Sequence, residues 1–134
     1  MFELDPRLEA DTVPVAELIL CRVLLMNDAR FPWLILVPRK ARLCELTDLA
    51  TADREVLISE IGVASDALTA LFTPEKINVG ALGNIVRQLH VHVVARDAGD
   101  AAWPGPVWGH GAAKPYTMAA LEKTRTALAH ALSA

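Results

Sequence analysis

Cysteine is scarce: Cys21 and Cys44 are the only two in 134 residues, and no Cys-x-x-Cys spacing occurs, which excludes a disulfide framework. Basic charge is not in excess either. Thirteen Lys and Arg face sixteen Asp and Glu, for a net charge of −3 and a pI near 5.8, so no global field draws the chain to nucleic acid or to anionic lipid. The amino terminus, Met1-Phe2-Glu3-Leu4-Asp5, is acidic and interrupted by Pro6, without the basic start and apolar run of a secretory signal. The apolar run Trp33 to Val37 falls far short of the ~20 residues that span a bilayer. No Gly-x-Gly-x-x-Gly opens a helix and no βαβ alternation is apparent, which argues against a doubly wound dinucleotide-binding fold. Repeats, low-complexity blocks and linkers are also missing. These absences leave a cytoplasmic chain with reduced thiols, read as a single domain over 1–134, with no nucleic-acid and no membrane partner.

What is present is a strongly apolar composition, 53% hydrophobic and 22% charged, enough for a real core. Alanine supplies 22 of the 134 residues, so part of that excess is small side chains on helices. Charge is uneven: residues 68–134 hold six basic and four acidic side chains, against seven and twelve in residues 1–67, which suits a local anion site in the second half. Residues 1–17 read as an irregular or partly helical lead-in. Cys21–Met26 and Trp33–Val37, joined by a turn at Asn27-Asp28 and bounded by Pro32 and Pro38, predict an antiparallel hairpin buried on both faces. Leu57, Ile61, Ala64, Leu68 and Leu71 share one helical stripe, with Thr51 as N-cap and Thr73-Pro74 as the stop. Residues 77–82 and 86–95 predict two further strands around a glycine-containing loop. A Gly-, Pro- and Trp-rich loop follows over 97–116, then a helix from about Thr117 to Leu132 with Met118, Leu121, Leu128 and Leu132 on one side. The expected class is α+β: an antiparallel sheet of about five strands, one long central helix and a C-terminal helix.

The chemistry concentrates in Gln88-Leu89-His90-Val91-His92-Val93-Val94. Strand alternation points Leu89, Val91 and Val93 into the core and aligns Gln88, His90 and His92 on the other face, about 6.5–7 Å between successive positions. The loop Gly80-Ala81-Leu82-Gly83-Asn84 leads into this strand; glycines let backbone N–H groups approach an anion, and Asn84 adds an amide. Two imidazoles beside such donors suit a phosphoryl group, one attacking phosphorus and the other offsetting the developing charge. A His-x-His pair is equally at home as a solvated face or as two satisfied imidazoles. It also supplies two ligands of a zinc site, although no cysteine or carboxylate cluster stands nearby in sequence. Arg87 falls on the face opposite Gln88, Arg96 at a strand end reads as surface charge, and His130 as a surface residue of the last helix.

The segment resembles the histidine triad (HIT) nucleotide hydrolases and transferases, whose signature is His-φ-His-φ-His-φ-φ with φ apolar. Residues 88–94 match it except at the first histidine, where Gln88 stands. Ala95-Arg96-Asp97-Ala98-Gly99-Asp100 looks like the segment that follows the triad in the dinucleoside polyphosphate hydrolases of the family. The resemblance covers roughly residues 18–100 and is less evident over the C-terminal loop and helix, 101–134. It implies His90 as nucleophile toward the α-phosphorus of a nucleotide, forming a nucleotidyl-histidine intermediate that water hydrolyses, with His92 binding phosphate oxygens. It further implies Asn78 as a phosphate-contacting amide, Asn27 as a ribose contact, Gly83 and Asn84 in the phosphate loop, a purine nucleotide or dinucleotide as ligand, a homodimer, and no metal or organic cofactor.

Three positions depart from the family pattern. Gln88 can donate and accept hydrogen bonds but cannot shuttle a proton, which favours substrates with good leaving groups such as a nucleotide phosphate; phosphoramidates are the other substrate class. Ile85 stands where relatives carry a hydroxyl. Trp33 stands near a histidine position at the nucleotide pocket, where it either packs or stacks on a base. The Trp103–His110 loop either covers the phosphate site or packs at a dimer interface, the latter favoured, and His110 would replace the missing proton donor if the loop folds over His90. Besides the enzyme, two readings stand: a nucleotide-binding or regulatory module with little turnover, and a metal-dependent hydrolase.

Overall fold

In the computed structural model, residues 1–133 are described. The elements run α1 (Pro6–Asp11), β1 (Thr12–Glu17), β2 (Cys21–Met26), β3 (Trp33–Pro38), a single 3₁₀ turn (Leu46–Asp48), α2 (Thr51–Phe72), β4 (Lys76–Gly80), β5 (Val91–Arg96) and α3 (Met118–Leu132). The five strands form one antiparallel sheet in the order β1-β2-β3-β5-β4. The expected class and the β2–β3 hairpin are therefore present.

Alternation along the strands sorts the side chains onto two buried faces. Val23, Leu25, Leu34, Leu36, Val91 and Val93 point to the side covered by α2 and α3 and form the larger core with Leu57, Leu68 and Leu128. Leu24, Trp33, Ile35, Val37 and Val94 point the other way, under α1 and the 97–116 loop, and pack with Leu8, Phe31, Ala102 and Val107. His92 and Arg96 share the parity of Val94, so both polar side chains are placed on this second, thinner face.

Several boundaries differ from the sequence expectation for identifiable reasons. The lead-in contains a strand, β1, disguised by Pro14; the register shifts between Pro14 and Ala16, and an edge strand tolerates a proline there. Asp5 caps α1 by accepting from the Arg7 N–H at 2.8 Å, with Pro6 at the first helical position. The strand expected over 86–95 starts only at Val91, because Leu89 donates its N–H to the Leu43 carbonyl (2.9 Å) outside the sheet. The N-cap of α2 is Ala50 rather than Thr51, and the helix stops at Thr73 in the left-handed conformation (φ 47°) before Pro74. Leu71 and Met118 are exposed, Met118 at 89%, rather than core members; Ala67 takes a core place that the stripe omitted. Thr117 does cap α3, accepting from the Ala120 N–H.

One polar contact inside the larger core fixes the sheet against α2. The buried Glu60 carboxylate accepts the N–H groups of Leu20 (2.9 Å) and Cys21 (2.8 Å), tying the β1–β2 turn to the helix. Burial, first, and the neighbouring Glu60 push the Cys21 thiol pKa well up, so it is an inert core group. Replacing Glu60 with alanine strands two buried donors, so Glu60→Ala is expected to lower unfolding free energy by about 1–3 kcal/mol. Urea unfolding midpoints check this, against Glu55→Ala on the exposed side of the same helix, expected within about 0.5 kcal/mol of the parent.

Candidate active site

His90 closes the loop that precedes β5, and His92 is the second residue of that strand. Both are buried, 6% and 5% exposed, with ring centroids 4.9 Å apart. Their protonation patterns follow from their partners. The Nδ1 of His90 lies 2.6 Å from the Gln88 carbonyl oxygen, which only accepts, so Nδ1 carries the hydrogen and Nε2 keeps its lone pair. The Nδ1 of His92 accepts from the Trp33 indole Nε1–H at 2.9 Å. An indole only donates, so the neutral His92 ring must carry its hydrogen on Nε2. The end of the loop and the start of β5 therefore hold one neutral imidazole with a lone pair on Nε2 and one with a hydrogen there.

His92 is held neutral. Burial, followed by the neighbouring His90, lowers its pKa from 6.5 to about 3, and protonating Nδ1 would set N–H against the Trp33 N–H. Three rings enclose it: His90, Trp33 at 5.6 Å and Trp108 at 5.4 Å. Trp33 is thus a packed, hydrogen-bonded residue, set edge-on to Phe31 at 6.3 Å, and one part of it borders a cavity.

Two cavities adjoin these side chains. One, of about 170 Å³, is lined by His90, Gln88, Ala81, Leu82, Gly83 and the 44–47 segment. Gly83 takes φ +76° there, a left-handed turn that brings the 80–84 loop to the rim. The other, of about 410 Å³, is lined by Asn27, Asp28, Arg30, Trp33, Val107 and Gly109 among others, a volume in the range of small-ligand sites.

The remaining expected site residues fall in different places. Asn78, on β4, accepts from Arg96 Nη1 through Oδ1 (2.8 Å), which leaves its amide hydrogens as the free end. Asn27 accepts from the Tyr116 N–H (2.9 Å) and borders the larger cavity. Asn84 is exposed beside Arg87 at a third, polar cavity, and Ile85 is exposed. Gln88 borders the His90 cavity, but both ends of its amide are taken: Oε1 accepts from Asp5 N–H and Nε2 donates to the Glu3 carbonyl, each at 2.8 Å. It straps the amino-terminal segment to the loop before His90, a role shared by Arg7, which donates to the Ile85 carbonyl. His110 is exposed, its carbonyl accepting from Arg30; the ring that reaches the histidines from the loop is Trp108. Within its own chain Trp108 packs on His92 and Gly80, while Trp103 of the same loop is exposed.

Sequence reasoning missed the group that holds this site together. Arg96 is 2% exposed, not a surface charge. It pairs with Asp100 (Nε to Oδ2 2.7 Å, Nη2 to Oδ1 3.0 Å), donates to Asn78, and donates to the Gly105 carbonyl of the loop. The guanidinium of Arg96 holds the Asp100 carboxyl far below the usual carboxylate range, against a smaller opposing effect of burial. Asp28, also buried, is opposed in ionising by burial but ends below its usual range because Arg30 and the Arg30 and Lys114 backbone N–H groups donate to it. An acid–base spacing of two or four residues is too common in sequence to single out either pair. Among the described residues no group of three or more His, Cys, Asp or Glu stands together as a metal site, so His90 and His92 find no third ligand.

The neutrality of His92 has a thermodynamic consequence. Its folded pKa of about 3 lies below the unfolded 6.5, so the unfolded chain binds the extra proton between these values. Stability is full above pH 6.5 and falls on acidification, by at most about 1.4 kcal/mol per pH unit from this group. The depressed carboxylates Asp28 and Asp100 add their loss only below about pH 4. Urea unfolding of the parent is expected to weaken between pH 6.5 and 4.5, and His92→Gln is expected to flatten that interval.

The fold is shared with known proteins. The HIT domain model matches residues 7–99. A histidine triad protein from Sinorhizobium meliloti 1021 is 48% identical, with 96% of each chain covered and a TM-score of 0.94. One from Marinobacter aquaeolei VT8 is 44% identical over 99% of this chain and 97% of its own, with a TM-score of 0.96. A hypothetical histidine triad nucleotide-binding protein from Sulfolobus tokodaii strain7 shares the fold alone, at 13% identity and TM-score 0.71, over 93% of this chain and 86% of its own. Among curated proteins none matches. The family model covers most of the chain and the sheet and helices superpose on those of histidine triad proteins, so the chain belongs to the HIT family.

Proposed function

We propose that this HIT protein binds a nucleotide and transfers or hydrolyses its nucleotidyl group at the α-phosphorus. The observation that carries the reading is the 2.6 Å contact between His90 Nδ1 and the Gln88 carbonyl, which leaves the Nε2 lone pair free on a residue that lines a cavity. His90 Nε2 attacks phosphorus, a P–N bond forms, and the P–O bond to the leaving phosphate breaks with its electron pair. The ring becomes cationic, and its Nδ1–H stays on the Gln88 carbonyl. Water then attacks the same phosphorus, the P–N pair returns to His90, and a proton of the water passes to solvent as the nucleotide monophosphate forms. His92, with its hydrogen on Nε2, donates to a non-bridging oxygen, and the free amide end of Asn78 supplies a second donor. The larger cavity beside Asn27, Asp28 and Trp33 takes the nucleoside.

Substrate class follows from what the site can protonate. The Gln88 amide is committed to backbone and does not titrate, and His92 is neutral with a bound Nδ1. Leaving groups that depart as stable anions suit such a site, so dinucleoside polyphosphates are preferred to phosphoramidates. The nucleotide-binding description of the Sulfolobus tokodaii protein supports a nucleotide ligand. Two copies are part of the proposal: β4 is an edge strand, and Val79, Leu82 and Ile85 on and after it are exposed.

A second reading, a binding module with little turnover, is favoured by the commitment of Gln88 to the amino-terminal segment. Rapid mixing with an adenine dinucleoside polyphosphate labelled at the α-phosphorus separates the two. Trapped protein-bound label, absent in His90→Ala, is the expected result. Tight binding with neither adduct nor product supports the module. Replacing His92 by alanine is expected to slow adduct formation by about 10²–10³-fold, the effect of losing one preorganised donor.

A further inference from the structure

Trp108 lies in the loop between β5 and α3, and its place is tightly determined. Its ring is edge-on to His92, 5.4 Å between centroids at 73°. Its six-membered ring rests on Gly80: a Cβ at that position would come within 2.9 Å of Cη2 and 3.2 Å of Cζ2. Only glycine admits the indole there. The loop is held on both sides of it, by the Arg96 bond to the Gly105 carbonyl (2.8 Å) and the buried Val107 before it, and by the Arg30 bond to the His110 carbonyl (2.5 Å) after it. Asp100 fixes the start of the loop by accepting the Ala102 and Trp103 N–H groups.

Yet the Trp108 indole Nε1 is buried with no hydrogen-bonding partner. The one other such atom among the described residues, Arg39 Nε, has the Glu17 carboxylate 2.7 Å away. The contrast with Trp33 is direct, since that indole N–H is spent on His92. Buried indole N–H groups normally find an acceptor, and an indole can only donate. A donor held rigidly against the phosphate-binding histidine, and left without an acceptor, is prepared for one that arrives with the ligand. The Nδ1 of His92 beside it is already engaged by Trp33.

We propose that Trp108 is a further ligand-contacting residue whose indole N–H donates to a phosphate oxygen of the bound nucleotide. The inference rests on the nucleotide reading above. It gives the site a donor from the C-terminal loop, on the side of His92 and Gly80. Because an indole does not give up its proton, this donor holds a phosphate oxygen without protonating it, in keeping with a phosphate as leaving group.

Indole ¹H–¹⁵N resonances of the three tryptophans, assigned with single Trp→Phe variants, test this on titration with adenosine 5′-monophosphate. The Trp108 indole proton is expected to move downfield, and Trp108→Phe, which keeps a ring in place, to weaken binding about three- to tenfold. Gly80→Ala, which displaces the indole without removing it, is expected to weaken binding comparably. If the imidazole nitrogens of His90 and His92 respond to the nucleotide while the Trp108 indole does not, the proposal is overturned and the nucleotide reading stands. It is likewise overturned if Trp108→Phe weakens binding without an indole shift in the parent, which would mark Trp108 as packing only. If none of these resonances responds, both fall.

Discussion

The site depends on how two neighbouring imidazoles are held at Nδ1. One donates to a carbonyl and the other accepts from an indole, so the two rings present opposite faces of the same chemistry at Nε2. The partners fix the tautomer of each neutral ring: a carbonyl cannot donate and an indole cannot accept. Strand alternation supplies the spacing, because positions 90 and 92 fall on one side while Leu89, Val91 and Val93 stay in the larger core. Shifting the register by one residue would bury the imidazoles under α2 and release the aliphatic side chains to the ligand side. The apolar core and the imidazole pair are therefore fixed by one constraint.

A second layer keeps those rings where they are. Arg96, at the end of β5 on the face shared by His92 and Val94, joins three pieces that have no other common partner: Asn78 on β4, the Asp100 turn, and Gly105 in the loop that carries Trp108. Burying a guanidinium is costly unless its donors are matched, and here a bidentate carboxylate and two neutral oxygens take them. Because a guanidinium only donates, it also dictates that Asn78 turns Oδ1 inward and leaves its amide hydrogens outward. At the opposite end, Gln88 and Arg7 strap the amino-terminal segment to residues 85–88, whose carbonyl at position 88 orients His90.

The fold class, the hairpin, both long helices and the histidine pair were legible because each rests on local periodicity or on a local stop such as Thr73-Pro74. What escaped was set by contacts between residues far apart in sequence. The strand β1 is broken in pattern by Pro14 and pairs only through β2. The late start of β5 follows from the Leu89 bond to Leu43, which lies before α2. Gln88 read as a member of the histidine row because its parity is right, but its amide oxygen and nitrogen are each bonded to backbone, at Asp5 and Glu3. Arg96 looked like a strand-end charge because its acceptors come from positions 78, 100 and 105. Trp108 carried no signal beyond composition; its meaning depends on Gly80, which the sequence presents only as a loop residue.

The distribution of protons bears on the proposed chemistry most directly. A departing phosphate has a second pKa of about 6 and leaves as a stable anion near neutral pH, whereas an amine with a conjugate acid near ~10.4 must take a proton as the P–N bond breaks. Each unit of that gap is worth about 1.4 kcal/mol, so an unassisted amine is a poor leaving group by several kcal/mol. His92 cannot make up the difference, because its ring is neutral down to about pH 3 and its Nε2–H is that of a neutral imidazole. The Gln88 amide does not titrate, and His110 is turned out to solvent with its backbone on Arg30. Under the proposed function, fixed donors and one lone pair suit an anhydride, in which the leaving group carries its own stability and the protein has only to hold charge in place.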